Sequence, residues 1–545
     1  MNPYEKISKC INNKKHIYMN EYTPNPEIGH LDDESYLAAR PFFKQHKWEA
    51  LTYWEITLAT HPSKVWPWDT NPISHLTDKI TLSTPIISAD MDTVTEADMA
   101  IEMALAWWLW ILHSNLTIDE QIEHLKKVKT HLHWIIEKPL TVTPEKTIAE
   151  IIAMKKQEWI KFSTFPVLWK DGKLIWLLWS KAVKQRYADR NVGDLMTKID
   201  DTTTIQEDLL WNDPIWFVDD FFTEHMWVTK LPIINKQWLL KWLVDESDIY
   251  RIITEKSSDI QATRDSEHKL RAWVTLHMLF KDWELDKTRM LENTERLVEA
   301  WVDIVAVSTA HGGNQKVWEM VSFIRNQFKD LDIMAGNVTS GRLVEFLWNA
   351  WANVIKVWQW PGSICTTRTQ TWIWIPQATA VHICSEAAKI LWNVRIIADG
   401  GITSSGDMVK AYALWWDAVM LGWMLAWCKE SPGELFEFKG ELFKSYRGMW
   451  SIEAMKAWSA ARYWNTVNDT KRKLAPEWIP AAKKYIWPAS DVIKTFRASI
   501  QSWMWYNWAE NLDELREKAR FVKMNDAWQK ESAPHDVIPM QSKMT

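Results

Sequence analysis

The chain is short of glycine. It holds 15 among 545 residues, where an ordinary share of about 7% would supply more than twice as many. Cysteine is scarcer still, and the four present (Cys10, Cys365, Cys384 and Cys428) suit neither a disulfide framework nor the ligand spacing of a zinc site. A reducing compartment is therefore expected. There is no excess of positive charge: Lys+Arg 64 against Asp+Glu 70 leaves −6, which offers no field for nucleic acid or an anionic membrane. Long apolar runs are missing too. The longest uncharged one, Met103 to Leu112, is about half a membrane span, and the first residues carry no apolar signal core. These absences predict a cytoplasmic protein with no membrane partner and no obligatory nucleic acid.

What the chain has in excess is tryptophan, 41 residues, many beside turn residues, as in Trp107-Trp108, Trp415-Trp416 and Trp358-Gln-Trp360-Pro-Gly. An internal repeat tests what they are. Phe165-Pro-Val-Leu-Trp-Lys-Asp-Gly-Lys-Leu-Ile-Trp-Leu-Leu178 recurs without gaps as Leu231-Pro-Ile-Ile-Asn-Lys-Gln-Trp-Leu-Leu-Lys-Trp-Leu-Val244, and the overlay sets Gly172 against Trp238. Both fall at the tip of a strand–turn–strand, where φ > 0 is wanted and a bulky Cβ is disfavoured. Many of the tryptophans are expected to stand for glycine, as when UGA codons that a lineage reads as glycine are rendered with a table that reads them as tryptophan. The alternative is a chain that is truly rich in tryptophan.

From Asp303 onward, apolar strand-like runs alternate with amphipathic stretches: Asp303-Ile-Val-Ala-Val-Ser308, Asp332-Ile-Met-Ala-Gly336, Asn353-Val-Ile-Lys-Val357, Val394-Arg-Ile-Ile-Ala-Asp399 and Asp417-Ala-Val-Met-Leu-Gly422. This is the pattern of a parallel α/β sheet, and the polar and Gly residues at the strand ends suit a (β/α)8 TIM barrel better than an open sheet. The segment Ile80 to Asp92 and then Trp110-Ile-Leu-His113 predict the barrel's first strands. Residues 136–254 read as two βαββα units, so the expected division is an N-terminal extension 1–47, barrel part 48–135, a tandem α+β module 136–254, and barrel part 255–545. Insertion at a loop tip costs little.

The chemistry concentrates after the strand ending at Val357. Gly362-Ser-Ile-Cys-Thr-Thr-Arg368 sets a cysteine in a loop of small residues at the C-terminal mouth of a barrel strand, placed for nucleophilic attack. Ala398-Asp-Gly-Gly-Ile402 then offers a carboxylate and flexible amide donors for a sugar and a phosphate, and Met420-Leu-Gly422 ends the next strand. Loops after the seventh and eighth barrel strands commonly hold phosphate, which points to a nucleotide monophosphate.

Together, Ser88-Ala-Asp-Met-Asp-Thr-Val-Thr-Glu96, Gly362 to Arg368, Ala398 to Ile402, Ser445-Tyr-Arg-Gly-Met449 and Ala461-Arg-Tyr463 resemble the inosine monophosphate dehydrogenases, in order, over about residues 48–540. The repeat resembles that family's paired cystathionine-β-synthase-type (CBS) regulatory module. Several family glycines stand here as Trp107, Trp108, Trp110, Trp358, Trp360 and Trp450. The resemblance implies NAD-dependent oxidation of inosine 5′-monophosphate (IMP) to xanthosine 5′-monophosphate through a Cys365 thioimidate, hydrolysed by water beneath a flap at about 450–485. Arg462 with Tyr463, or Thr367 relayed to Glu477, would activate that water; an arginine base conflicts with an ordinary pKa above about 12.

Substrate contacts implied are Met91, Asn337, Ser363, Asp399, Gly400, Gly401, Gly422, Trp423, Tyr446, Gly448, Met449, Trp450 and Glu477. The NAD wall would use Ser308, Thr309, Ala310, Trp358 and Trp360, with Ser308 standing where the family usually has Asp. A potassium ion would sit on main-chain carbonyls of Trp360, Gly362 and Cys365, completed by Glu531, Ser532 and Ala533 of a neighbouring subunit. A homotetramer or octamer, with regulatory nucleotides at the module, is the implied assembly. Two alternatives stand beside this reading. One is a guanosine monophosphate (GMP) reductase, which usually lacks the insert and the Arg–Tyr flap. The other is a catalytically dead nucleotide-sensing scaffold.

Overall fold

The computed structural model describes residues 37–532, except 48, 132–134, 137–138, 158–163, 199–203, 211–213, 257–261, 266–267, 283, 359–360, 392, 450, 452–453, 455–480 and 486–487. Eight parallel strands close into a barrel in chain order: β1 (Ile86–Ser88), β2 (Leu109–Leu112), β3 (Trp273–Thr275), β4 (Ile304–Ser308), β5 (Asp332–Val338), β6 (Val354–Val357), β7 (Arg395–Asp399) and β8 (Ala418–Leu421). Most are buried at every position, as in Val354–Val357, because helices cover the outside while side chains fill the inside. Those helices are α1 (Ala97–Leu105), α2 (Ile118–Lys129), α3 (Lys287–Glu299), α4 (Gln315–Gln327), α5 (Gly341–Trp348), α6 (Gln377–Ile390), α7 (Ser405–Ala413) and α8 (Ala489–Tyr506). Side-chain caps start several of them: Thr117 and Ser404 accept from the third residues of α2 and α7 within capping boxes, each worth about 1 kcal/mol.

Between α2 and β3 the chain leaves the barrel. Two antiparallel pairs, Phe165–Leu168 with Leu174–Leu178 and Lys230–Ile234 with Leu240–Asp245, share one register and one irregularity: Val167↔Trp176 then Leu168↔Leu174, and Ile233↔Trp242 then Ile234↔Leu240. The overlay read from the sequence is thus the overlay of the fold. Even the preceding strand repeats, Val142 meeting Val167 and Ile205 meeting Ile233 in parallel. Each copy has its own apolar core, and Leu174, Leu177 and Ile234 pack between the two hairpins.

One expectation is corrected. Ile80–Leu82 is not a barrel strand; it pairs antiparallel with Ser74–Thr77. Pro85, which has no N–H to give a ladder, separates it from β1.

Between β8 and α8, strands Leu435–Phe438, Glu441–Tyr446 and Ala481–Lys484 form a separate sheet. Most of the chain joining its last two strands lies outside the described residues.

Candidate active site

At the C-terminal end of the strands is a cavity of about 390 Å³. Most of its wall comes from strand ends: Met91 follows β1, Trp358, Gly362, Ser363 and Arg368 follow β6, Asp399 ends β7 with Gly400 and Gly401 after it, and Gly422 and Trp423 follow β8, while Thr52-Tyr53-Trp54 line it from ahead of the barrel. Gly400 and Gly401 adopt φ +76° and +74°, a left-handed turn that glycine makes without a Cβ penalty. A Cβ on Gly400 would lie 2.9 Å from the Trp358 indole nitrogen.

Cys365 is buried one step behind this wall. Its amide donates to the Gly362 carbonyl at 3.3 Å, and its Sγ–H donates to Thr367 Oγ1 at 3.4 Å. Thr367 opens the short helix Thr367–Thr371, and Arg368 turns back to donate from Nη2 to the Gly362 carbonyl at 3.3 Å. Of the other two cysteines in the described residues, burial pushes both the Cys384 and the Cys428 thiols up, as expected of inert core sulfur.

Charge at the mouth is organised by a residue that sequence reasoning passed over. Lys356, buried inside the barrel from β6, lies 3.0 Å from Asp90 and 3.1 Å from Asp399. The signal was present: a single lysine in the otherwise apolar Val354-Ile-Lys-Val357 faces inward when the strand alternates. Gln377 donates to the carbonyls of Val357 at 3.0 Å and Asp399 at 2.8 Å, joining the ends of β6 and β7. Nothing in the sequence marked it.

Tyr446 closes the cavity from the strand Glu441–Tyr446, against Met91 and Trp423. It hydrogen-bonds Ser363, and burial, assisted by the charge of Asp399, pushes its phenol above its ordinary range. The next residue, Arg447, donates to Asp92 at 2.7 and 3.0 Å, and Asn115 donates to the same oxygen at 2.7 Å. This pair pins the Tyr446 segment to the loop after β1.

The remaining expected residues divide by place. Asn337, next to the last residue of β5 on the barrel's upper side, is buried with neither polar atom of its side chain partnered, and Met449 is buried beyond Gly448. Ser308 and Thr309 are buried at the end of β4, where Thr309 gives its hydroxyl to Gly336 at 3.2 Å; Ala310 is half-buried beside them. Glu531 and Ser532 are exposed at the end of helix Asp526–Glu531. Trp360, Trp450, Arg462, Tyr463, Glu477 and Ala533 lie outside the described residues.

Residues 50–535 match the family model described as IMP dehydrogenase / GMP reductase domain. The chain belongs to the IMP dehydrogenase/GMP reductase family. Within that family it is 37% identical to an inosine-5′-monophosphate dehydrogenase of Halalkalibacterium halodurans, covering 90% of this chain and 96% of that protein. Similar proteins of the same name in Aquifex aeolicus and Bacillus subtilis are each 35% identical, again over 90% of this chain. Among solved structures, a GMP reductase of Trypanosoma brucei in complex with guanosine 5′-monophosphate superposes with TM-score 0.80 at 29% identity, covering 90% of this chain and 98% of that one.

With IMP dehydrogenases so similar over nearly the whole length, this member is an oxidoreductase of the IMP dehydrogenase type, and the family's use of NAD follows. The reductase match carries a correction. It covers too much of this chain to omit the insert, so an inserted module does not separate the two activities. No helix among the described residues is long and apolar enough to cross a membrane.

Proposed function

We propose that the protein oxidises IMP to xanthosine 5′-monophosphate with Cys365 as nucleophile, in guanine nucleotide synthesis. The observation that carries this is one cavity bounded by the Cys365 loop, the Asp399-Gly-Gly turn, Gly422 and Tyr446. Asp399, oriented by Lys356, accepts hydrogen bonds from the ribose hydroxyls, a task a carboxylate can perform twice over. The phosphate takes main-chain amides around Gly400, Gly401 and Gly422. The Cys365 thiol adds to C2 of the purine, its S–H bond breaking and the proton passing to the adjacent ring nitrogen, from which it is lost as the hydride leaves. NAD+, when bound, supplies the hydride acceptor for the hydrogen leaving C2.

Water then attacks the thioimidate carbon, loses its proton to the protein, and the C–S bond breaks to return the thiol and release product. Covalent capture divides one hard substitution into two easier steps. Thr367, beside the sulfur, with Glu477, or Arg462 with Tyr463, receives the water's proton. Ser308, Thr309, Ala310, Trp358 and Trp360 form the cofactor wall, and Ser308 can hydrogen-bond a ribose only without charge assistance. Carbonyls of 360, 362 and 365, with 531–533 of a neighbouring subunit, would hold potassium, the Gly362 carbonyl giving up one of the two hydrogen bonds it now accepts from the Cys365 amide and Arg368.

The division at 47, 135 and 254, a CBS-type module binding regulatory nucleotides, a homotetrameric or octameric assembly and a cytoplasmic location belong to the same reading. The test is NADH formation from IMP and NAD+ by the protein as its own cell makes it, with loss of turnover in Cys365→Ser. NADPH-dependent conversion of GMP with no NADH formation would instead establish the reductase.

A further inference from the structure

Among the described residues, eleven that are not glycine have positive φ, and seven of these are tryptophan. An indole-bearing residue is among the poorest choices for that region, since its Cβ crowds the following carbonyl. Four of the seven end helices in the same way. At Trp107 (φ 71°), Trp301 (63°), Trp351 (69°) and Trp508 (51°), the tryptophan amide donates three residues back, to Ala104, Val298, Trp348 and Trp505. The next amide donates five back, to Met103, Leu297, Leu347 and Met504. This pair of bonds is the Schellman closure, whose left-handed residue is usually glycine. Trp415 (74°) follows α7, and Trp372 (56°) caps Thr367–Thr371. Trp238 (62°) turns the second hairpin where Gly172 (82°) turns the first.

A second observation is independent of backbone angle. The indole N–H groups of Trp107, Trp108, Trp273, Trp416 and Trp427 are buried without a hydrogen-bond partner, although a buried indole ordinarily finds one. Trp107 stands in both sets, a left-handed residue whose buried indole N–H is unsatisfied.

We propose that the seven left-handed tryptophans, and with them Trp358 at the cavity rim, are glycines in the protein its own cell makes, the gene's UGA codons being read there as glycine. The part concerning Trp358 rests on the nucleotide reading of the cavity; the other seven positions do not. Glycine at 358 removes the ring that now stands against Gly400 and opens the cavity between the cysteine loop and β7. The same replacement leaves every Schellman hydrogen bond in place, because those bonds use only main chain.

The experiment is peptide mass spectrometry of the protein isolated from its native cells, reading positions 107, 238, 301, 351, 358, 372, 415 and 508. Glycine at all of them is expected; tryptophan at any of them overturns the inference, whatever the enzyme's activity. A second measurement tests the conformational argument on the chain as written. Trp351 and Trp372 are 68% and 81% exposed, so W351G and W372G relieve left-handed strain without opening a cavity. The double variant should melt at a higher temperature than its parent, and a melting temperature unchanged or lowered would overturn the argument from φ. An inactive glycine-bearing protein would contradict the proposed oxidation and leave this inference standing.

Discussion

At the N-terminal end of the barrel, Lys129 reaches Asp265 at 3.0 Å and Asp303 at 2.7 Å, while Asp303 also accepts from the Ala272 amide at 2.7 Å. At the opposite end, Lys356 lies as close to Asp90 and Asp399. The two clusters share their chemistry and differ in what surrounds them. In the lower one, burial pushes the Asp303 carboxyl up even against Lys129 and Arg271. Asp417, below β8, is also pushed up by burial, opposed by Arg516 and Arg395. The upper cluster borders the cavity through Asp399. A buried ion pair adds little net stability but is costly to break, so the lower clusters hold the barrel shut, whereas the upper one aims a carboxylate at a ligand.

Substitutions at the two ends should separate these roles. The largest effect is expected from Cys365→Ser, which should cut steady-state NADH production at least ~10⁴-fold while leaving the thermal midpoint unchanged; equal loss of both would remove the distinction. Asp303→Ala should lower stability in denaturant titration by about 3–5 kcal/mol, because Lys129 and Arg271 lose a buried partner, with the KM for IMP retained. Asp399→Asn should weaken nucleotide binding by about 2 kcal/mol, measured by calorimetry. Lys356→Met should impair both stability and binding, since it stands under the carboxylate that the ligand uses.

The barrel's flank supplies the smallest effect and a reference for both ends. His382 on α6 stacks on Phe43 with ring centroids 4.4 Å apart, and burial pushes its pKa down from 6.5 to about 4. The folded protein therefore binds fewer protons than the unfolded chain between those values. The His382 contribution is complete above pH 6.5 and is lost progressively as pH falls toward 4. His382→Gln should flatten that part of the stability–pH curve and leave KM untouched.

The barrel was legible because its strands are mostly apolar runs, several with polar or Gly residues at their C-terminal ends, and the repeat because both hairpins keep the same alternation. Ile80–Leu82 misleads because Ile80, Leu82, Ile86 and Ile87 form one β-prone stretch across Pro85, and composition does not show which side of the proline joins the barrel. In the site, Asp399, Gly400 and Gly422 were readable as strand-end residues and line one cavity. Gln377 was not, since a glutamine at a helix start has no local pattern that reveals carbonyls on two other strands. On sequence alone the insert argues against reductase activity, yet a reductase structure spans it: a module in a surface loop leaves the chemistry at the strand ends unchanged.

The central claim, sulfur attack by Cys365, is tested most directly by acid-quenching the natively made enzyme during turnover of IMP and NAD+ and weighing the peptide that contains residue 365. The account predicts a purine nucleotide attached to that peptide through sulfur, absent when NAD+ is omitted. A peptide that stays unmodified while NADH accumulates would contradict it.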